Sequence, residues 1–352
     1  MRTAEIGAKV LAGERLTAAQ ALILADHGQL LELGLLADAV RQRLHPEPLV
    51  TYVIDRNINY TDICISACKF CAFFKAPEDA AGSVLSREEL GRKIEETLAL
   101  GGNQILLQGG LHPELPLSFY EELLRFIKGY GVHIHGFSPP EIHHFAQLAG
   151  LSTREVLSRL QAAGLDSMPG GGAEILCDRV RREIAPRKCG ADQWLAIMVE
   201  AHQLGMRTTA TMMFGHIETM AERLEHLERL RRVQDQTGGF TAFIPWPFQP
   251  ANTALAGRPK ATAFEYLKMV AISRIFLDNV ANIQASWVTQ GPKIAQLSLF
   301  FGANDFGSTM IEENVVAAAG VSFRLSEAEI RRLVEGAGFT VRRRRMDYTL
   351  ID

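Results

Sequence analysis

The chain has 352 residues, 47% of them hydrophobic and 22% charged, with a net charge of −3, an ordinary soluble globular balance. That charge gives no long-range attraction for nucleic acid, and no apolar run approaches the roughly 20 residues that span a bilayer. The cysteine count of five is odd; Cys177 and Cys189 stand apart from the other three and read as free thiols of a reducing compartment, the cytoplasm, and the charged opening over residues 1–17 does not read as a signal peptide.

In chain order, residues 15–45 carry Leu22, Leu24, Leu30, Leu31, Leu35, Leu36 and Val40 near helical spacing, and Pro46 and Pro48 close the segment. Strands and helices then alternate from about Val50. Strand 58–63 runs into a cysteine-rich loop. Ser86-Arg-Glu-Glu opens a helix to Leu100, followed by strand 103–107, helix 117–128 and strand 132–137. A helical stretch over 140–163, broken near Gly150, precedes strand 165–168. Helix 192–204, strand 207–214, helix 219–236 and strand 240–244 follow. Helix 263–277, strand 283–287, helix 292–299 and a last strand near 300–303 complete the series. About eight β/α units predict a (β/α)8 TIM-type barrel rather than a doubly wound sheet. The expected organisation is an N-terminal helical extension over 1–49, the barrel over 50–308, and a C-terminal extension over 309–352 that packs on it, with a capping box at Ser326 and a strand from Thr340.

Barrel chemistry gathers at the C-terminal ends of the strands. Cys64-Ile-Ser-Ala-Cys68-Lys-Phe-Cys71 puts three thiols on one short loop there, with no fourth cysteine nearby. A cubane cluster is normally held by four cysteines, so three leave one iron open, as a catalytic metal site keeps an open position. A zinc knuckle would need a fourth Cys or His. The loop resembles that of radical S-adenosylmethionine (SAM) enzymes, in which the open iron takes the amino and carboxylate groups of SAM, and Phe70 matches an aromatic residue often found there. A [4Fe–4S] cluster on Cys64, Cys68 and Cys71, and SAM, are the expected cofactors.

Other candidates also follow strands. Gln108-Gly109-Gly110 ends the second, where glycines expose backbone to a ligand. Ser138-Pro-Pro-Glu141 leaves the third and Pro169-Gly-Gly-Gly-Ala-Glu174 the fourth. Either carboxylate can hold ribose hydroxyls or the SAM ammonium, and Glu141 suits a helix N-terminus equally well. Phe70, Gln108, Gly109, Gly110, Ser138, Glu141 and Glu174 are therefore the candidate SAM contacts. His216, with Glu218, closes the fifth strand and is a candidate for proton transfer. Trp246, Phe248 and Gln249 lie in a rigid aromatic loop, Pro245–Pro250, suited to stacking on an aryl ring. Asp305, at the end of the eighth strand, reads as a base, a hydroxyl ligand or a turn residue. His133 and His135 alternate on one strand and face one side; without a carboxylate at metal spacing they read as core or surface residues.

Arg56-Asn-Ile-Asn-Tyr60, Cys64 to Phe73, Gln104 to Gly110, Phe137 to Glu141, Pro169 to Leu176, Thr211 to Glu218, Phe243 to Pro250 and Ala285-Ser-Trp-Val-Thr-Gln-Gly291 together resemble the cyclic dehypoxanthinyl futalosine synthases, radical SAM cyclases of the futalosine route to menaquinone. The Gly-Gly-Gly-Ala-Glu and Gly-His-Ile-Glu stretches are similar to those of aminofutalosine synthase and the two deazaflavin-cofactor synthases as well. The Pro245–Pro250 loop and the segment around Trp287 resemble the cyclase in particular, while Phe74 stands where its pattern often has tyrosine. The resemblance implies that a 5′-deoxyadenosyl radical takes the C4′ hydrogen of dehypoxanthine futalosine. The carbon radical then adds to the benzoate ring, and loss of an electron and a proton restores aromaticity. Implied with it are substrate contacts from Trp246, Phe248, Gln249 and Trp287, a proton acceptor at His216 or Asp305, and a one-electron reductant such as flavodoxin or ferredoxin. The alternatives are an aminofutalosine synthase-like enzyme, or a non-catalytic iron–sulfur electron-transfer protein whose fourth ligand would be Cys177 or Cys189.

Overall fold

The computed structural model describes residues 2–351; residues 1 and 352 of the expected extensions lie outside the described residues. Its larger sheet follows chain order: β2 (Asp55–Asn59), β3 (Gln104–Gln108), β4 (His133–Gly136), β5 (Ser167–Met168), β6 (Arg207–Phe214), β7 (Phe240–Pro247) and β8 (Asn282–Ile283). A smaller sheet sets β1 (Leu49–Val53) between β9 (Asp305–Ser308) and β10 (Thr340–Arg343). Only Ile54 separates β1 from β2, and a bridge from Gln284 to Asp305 joins β8 to β9. The ring thus closes on itself as a TIM-type α/β barrel. Its ladders between named strands are parallel, so crossover connections, mostly helical, join its staves.

The helices form where apolar spacing and caps agree. Leu117–Lys128 buries Leu117, Tyr120, Leu124 and Ile127 on one face, the i, i+3, i+7 stripe of a helix laid on a sheet. Ser86 and Ser152 accept from the backbone N–H groups of Glu89 and Glu155, caps contributing about 1 kcal/mol each. Tyr120 stacks on Phe145 at 3.8 Å, and Tyr60 meets Tyr120 and Phe137 edge-on at 5.6 and 5.9 Å. This aromatic cluster backs the β2–β4 side of the barrel. On the N-terminal side, Arg15 binds Asp235 at 2.6 Å and Asp278 at 2.7 Å, and Arg231 donates to the Leu16 carbonyl at 2.9 Å. These contacts tie the segment that leads into helix Ala18–His27 to the barrel helix Met220–Thr237 and to the residues that follow helix Ala263–Phe276.

Several boundaries differ from the sequence expectation. The helical stretch at 15–45 is two helices broken at Gly28 and Gln29, with a further helix at Thr3–Leu11 before them. A short helix, Asp178–Ile184, stands where none was expected, and Trp287 opens a helical turn instead of ending a strand. The strand that completes the barrel series is β9, and residues Leu299–Phe301 form a 3-10 turn. β7 runs on to Pro247 although Pro245 and Pro247 lack the N–H a ladder needs. It tolerates them because β8 pairs only with Ala242 and Phe243, leaving the end of β7 with β6 as its sole partner among the described ladders.

Candidate active site

The chain leaves β2 and forms the cysteine loop at the C-terminal mouth. The loop is pinned from three sides: Cys64 N–H to the Lys75 carbonyl (2.9 Å), Ile65 N–H to Leu111 (3.0 Å) and Lys69 N–H to Ile184 (2.8 Å). Ala67 takes a left-handed φ of 46° at its turn. Cys64 Sγ receives the backbone N–H of Leu111 at 3.2 Å and of Ser66 at 3.4 Å, and Ser66 Oγ lies 3.1 Å from Cys68 Sγ. The thiolate is the form that binds metal, and these groups give the sulfurs polar neighbours within the loop. Burial pushes the Cys68 thiol up, and the nearby Lys188 ammonium works against that rise. Among the described residues no three His, Cys, Asp or Glu side chains could hold a single metal ion; a cubane instead gives each thiolate an iron of its own. Cys177 and Cys189 serve elsewhere, the first with its Sγ 3.5 Å from Glu222 and the second through a carbonyl that Arg181 binds at 2.6 Å.

Gly109 and Gly110 earn their place by close approach. A Cβ on Gly110 would stand 2.1 Å from the Ile63 carbonyl oxygen, and one on Gly109 would enter the Tyr60 ring. The pair therefore presses β3 against the cysteine loop. The Gly109 N–H is spent on Glu141 Oε1 (3.1 Å), which also accepts from Tyr60 (2.7 Å), while Glu141 Oε2 takes Ser138 Oγ at 2.5 Å. Burial raises the Glu141 carboxyl to about 7 against these three donors. Glu141 and Ser138 thus brace the β4 exit from behind.

Glu174 is placed differently. Its left-handed φ of 42° is a strained setting for a residue with a side chain. Oε1 accepts from Lys188 Nζ at 2.8 Å, whereas the buried Oε2 has no hydrogen-bond partner, with the Arg181 guanidinium 3.9 Å away. Lys188 also lies 5.1 Å over the Phe70 ring. Burial disfavours its charge, but Cys68 and Glu174 outweigh burial and hold the ammonium protonated. Phe70, Lys188 and Glu174 thereby link the cysteine loop to the barrel interior.

That interior is a cavity of about 290 Å³ whose walls include Gln108, Glu174, Trp246 and Trp287, with Asp55, Gln104, His135 and Arg344 also on its lining. Trp287 is fixed by its indole N–H on the Ser308 carbonyl at 2.9 Å. The other expected residues sit outside. With β7 extended, Ile244 and Trp246 face inward. Phe248 is buried against the His216 ring, and Gln249 folds onto the Pro247 carbonyl beside a separate depression. His216 is not on the cavity: Nε2 lies 3.0 Å from the Met213 carbonyl, and Nδ1 lies 2.8 Å from the Ile217 nitrogen and 3.0 Å from Glu218 Oε2. Burial would raise Glu218, but His216 and Arg223 prevail and hold it well below the usual carboxylate range. Asp305 lies away from the mouth, held by Arg344 at 2.5 and 3.0 Å and by Thr51 at 2.5 Å. Both of its oxygens are occupied by these donors, and it is not on the cavity lining.

Residues 58–230 match the radical SAM superfamily and residues 237–352 match the CofH/MqnC C-terminal region. The cyclic dehypoxanthine futalosine synthase of Streptomyces coelicolor is 49% identical, covering 94% of this chain and 84% of its own. That of Halalkalibacterium halodurans is 46% identical, covering 96% and 92%. The chain belongs to the cyclic dehypoxanthine futalosine synthase family of radical SAM enzymes.

The family is not isolated in sequence. The 5-amino-6-(D-ribitylamino)uracil–L-tyrosine 4-hydroxyphenyl transferase of Archaeoglobus fulgidus is 42% identical over 90% of this chain and 93% of its own. In fold, the FeFe-hydrogenase maturase HydG of Carboxydothermus hydrogenoformans (TM-score 0.78, 19% identity, 98% of this chain and 80% of that one) and methylornithine synthase (TM-score 0.74, 18% identity, 96% and 97%) share the barrel. Radical SAM enzymes use a [4Fe–4S] cluster and SAM, and this member of the synthase family has residues that fit both. Cys64 receives two backbone N–H donors at sulfur, the Ser66 hydroxyl lies against Cys68 Sγ, and Glu174 offers a buried acceptor without a donor. One residue of this site carried no signal in the sequence: Lys188, which no spacing connects to Glu174 or Phe70. It emerges only when the 169–190 segment meets the cysteine loop.

Proposed function

We propose that this enzyme cyclises dehypoxanthine futalosine, removing hydrogen from C4′ of the sugar and joining that carbon to the benzoate ring. The cluster, when bound, supplies one electron to SAM, giving methionine and a 5′-deoxyadenosyl radical. Around it the chain's task is to bind, orient and exclude water. Glu174 Oε2 would accept from the ammonium or ribose of SAM, with Gln108 beside it. Trp246 and Trp287 would form the wall for the aryl ring, a surface suited to offset or edge-on contact. The observation that carries this reading is the 46–49% identity, over 94–96% of the chain, to synthases named for the product.

A second reading has its own support, since several relatives 42–44% identical are 4-hydroxyphenyl transferases. Anaerobic turnover separates the two. Dehypoxanthine futalosine deuterated at C4′ should be consumed, with its label recovered in 5′-deoxyadenosine in step with cyclised product. Absence of label transfer, together with consumption of L-tyrosine and 5-amino-6-(D-ribitylamino)uracil, would transfer the assignment to the second reading. A product that retains adenine would favour aminofutalosine synthase-like chemistry.

A further inference from the structure

The cyclisation leaves a proton to be removed from the ring carbon that has just gained a bond, and both expected acceptors lie off the cavity. Among the histidines, His135 alone is on the cavity lining. Its Nδ1 lies 2.7 Å from Ser167 Oγ, and the same Oγ lies 2.7 Å from His133 Nε2. The arrangement follows from the sheet. His133 and His135 alternate on β4, so they share a face, and the ladder pairs His135 with Ser167 on β5. His133 is the first residue of β4, at the barrel end opposite the cysteine loop. There it lines a surface depression of about 350 Å³ together with Lys128 and Asp166. The three side chains span the barrel floor from cavity to surface.

We infer that His135 accepts the ring proton and that Ser167 and His133 carry it out through the floor of the barrel. The inference rests on the cyclase reading. With Nδ1 bound to Ser167, Nε2 is the nitrogen left to meet a molecule in the cavity. One hydroxyl can accept from the N–H of one imidazole while donating to the other. A proton taken on His135 Nε2 therefore displaces the Nδ1 proton to Ser167, and the Ser167 proton passes to His133 Nε2. The broken C–H bond leaves its electron pair on the ring. The extra electron then passes to a one-electron acceptor of the low-potential iron–sulfur or flavoprotein class, giving the aromatic product.

Electrostatics favour passage over storage. Burial, with His133 and Arg344 adding to it, holds His135 neutral and ready to accept. The same burial makes a resident imidazolium costly. At His133 burial also lowers the pKa, as does Lys128, but Asp166 and Asp347 oppose them, so the charge is better placed at the outer end.

The test is the ratio of cyclised product to 5′-deoxyadenosine, measured anaerobically on the cluster-loaded enzyme with C4′-deuterated substrate. General base catalysis is worth roughly 10²–10⁴-fold, so His135→Asn should lower that ratio about 100-fold while label transfer continues. Ser167→Ala should lower it about tenfold or more, and Ser167→Thr, which keeps the hydroxyl, should restore it. An unchanged ratio in His135→Asn overturns the inference. So does loss of label transfer in a variant that still holds its cluster and binds SAM. Should His135→Asn fail to fold, the serine pair decides: equal ratios in Ser167→Ala and Ser167→Thr also overturn it. Failure of the wild type to cyclise the substrate would instead refute the cyclase reading itself.

Discussion

Glu174 offers the sharpest test of the SAM site. One oxygen is committed to Lys188 at 2.8 Å, and the other is buried without a donor. A ligand N–H or O–H reaching that oxygen makes a charge-assisted hydrogen bond, worth about 1.5–3 kcal/mol. Glu174→Gln keeps the shape and removes the charge, so SAM affinity should fall about 10- to 150-fold, taking 1.4 kcal/mol per decade. The assay is anaerobic calorimetry of SAM on the cluster-loaded chain, with 5′-deoxyadenosine formation without substrate as the second readout. Lys188→Met supplies the control: it leaves the open oxygen in place but frees the carboxylate to move. Since Lys188 and Glu174 touch, the double variant should be non-additive by about 0.5–3 kcal/mol. Unchanged affinity in Glu174→Gln would remove this carboxylate from the SAM site.

Alanine at Cys64, Cys68 or Cys71 should abolish the cluster absorbance, whereas Cys177→Ala and Cys189→Ala should keep iron near the wild-type level. Asp305→Asn leaves Arg344 buried and half-paired, which should cost about 3–5 kcal/mol in denaturant unfolding of the cluster-free chain; the product ratio per folded molecule should hold, and its fall would return Asp305 to the chemistry. Burial raises Glu141 from its ordinary 4.5 to about 7, so its contribution to stability is full below about pH 4.5 and is lost as pH rises through 7. Glu141→Gln should therefore flatten the stability curve between pH 4.5 and 8 by about 3 kcal/mol, and an unflattened curve in the same unfolding series would count against it.

The barrel was legible because helix and strand periods alternate cleanly: helix Leu117–Lys128 and strand β6 fall where the spacing puts them. The cysteine loop was legible because its three cysteines fall within eight residues of the chain. What remained hidden depends on partners far away in sequence. Pro245 and Pro247 argue for a loop until the shortness of β8 makes them harmless. Asp305 looks like a mouth residue until Arg344, 39 positions on, claims it. The shared face of His133 and His135 is readable from their alternation, but Ser167, which joins them, lies 32 residues beyond His135.

The β9–β1–β10 seam sets an order of events during synthesis. Strands β2 to β8 pair with neighbours that emerge successively, so that wall can wind up as the chain appears. β1 cannot follow it, because its ladders are with β9 and β10, and Leu49 waits for Thr340. At about 5–20 residues per second, that delay is roughly 15–60 s. Until β9 emerges, the β2 edge and the cysteine loop that follows it lie on the open margin of the nascent sheet. The β9–β1 ladder closes the ring, and β10 then pairs with the remaining side of β1.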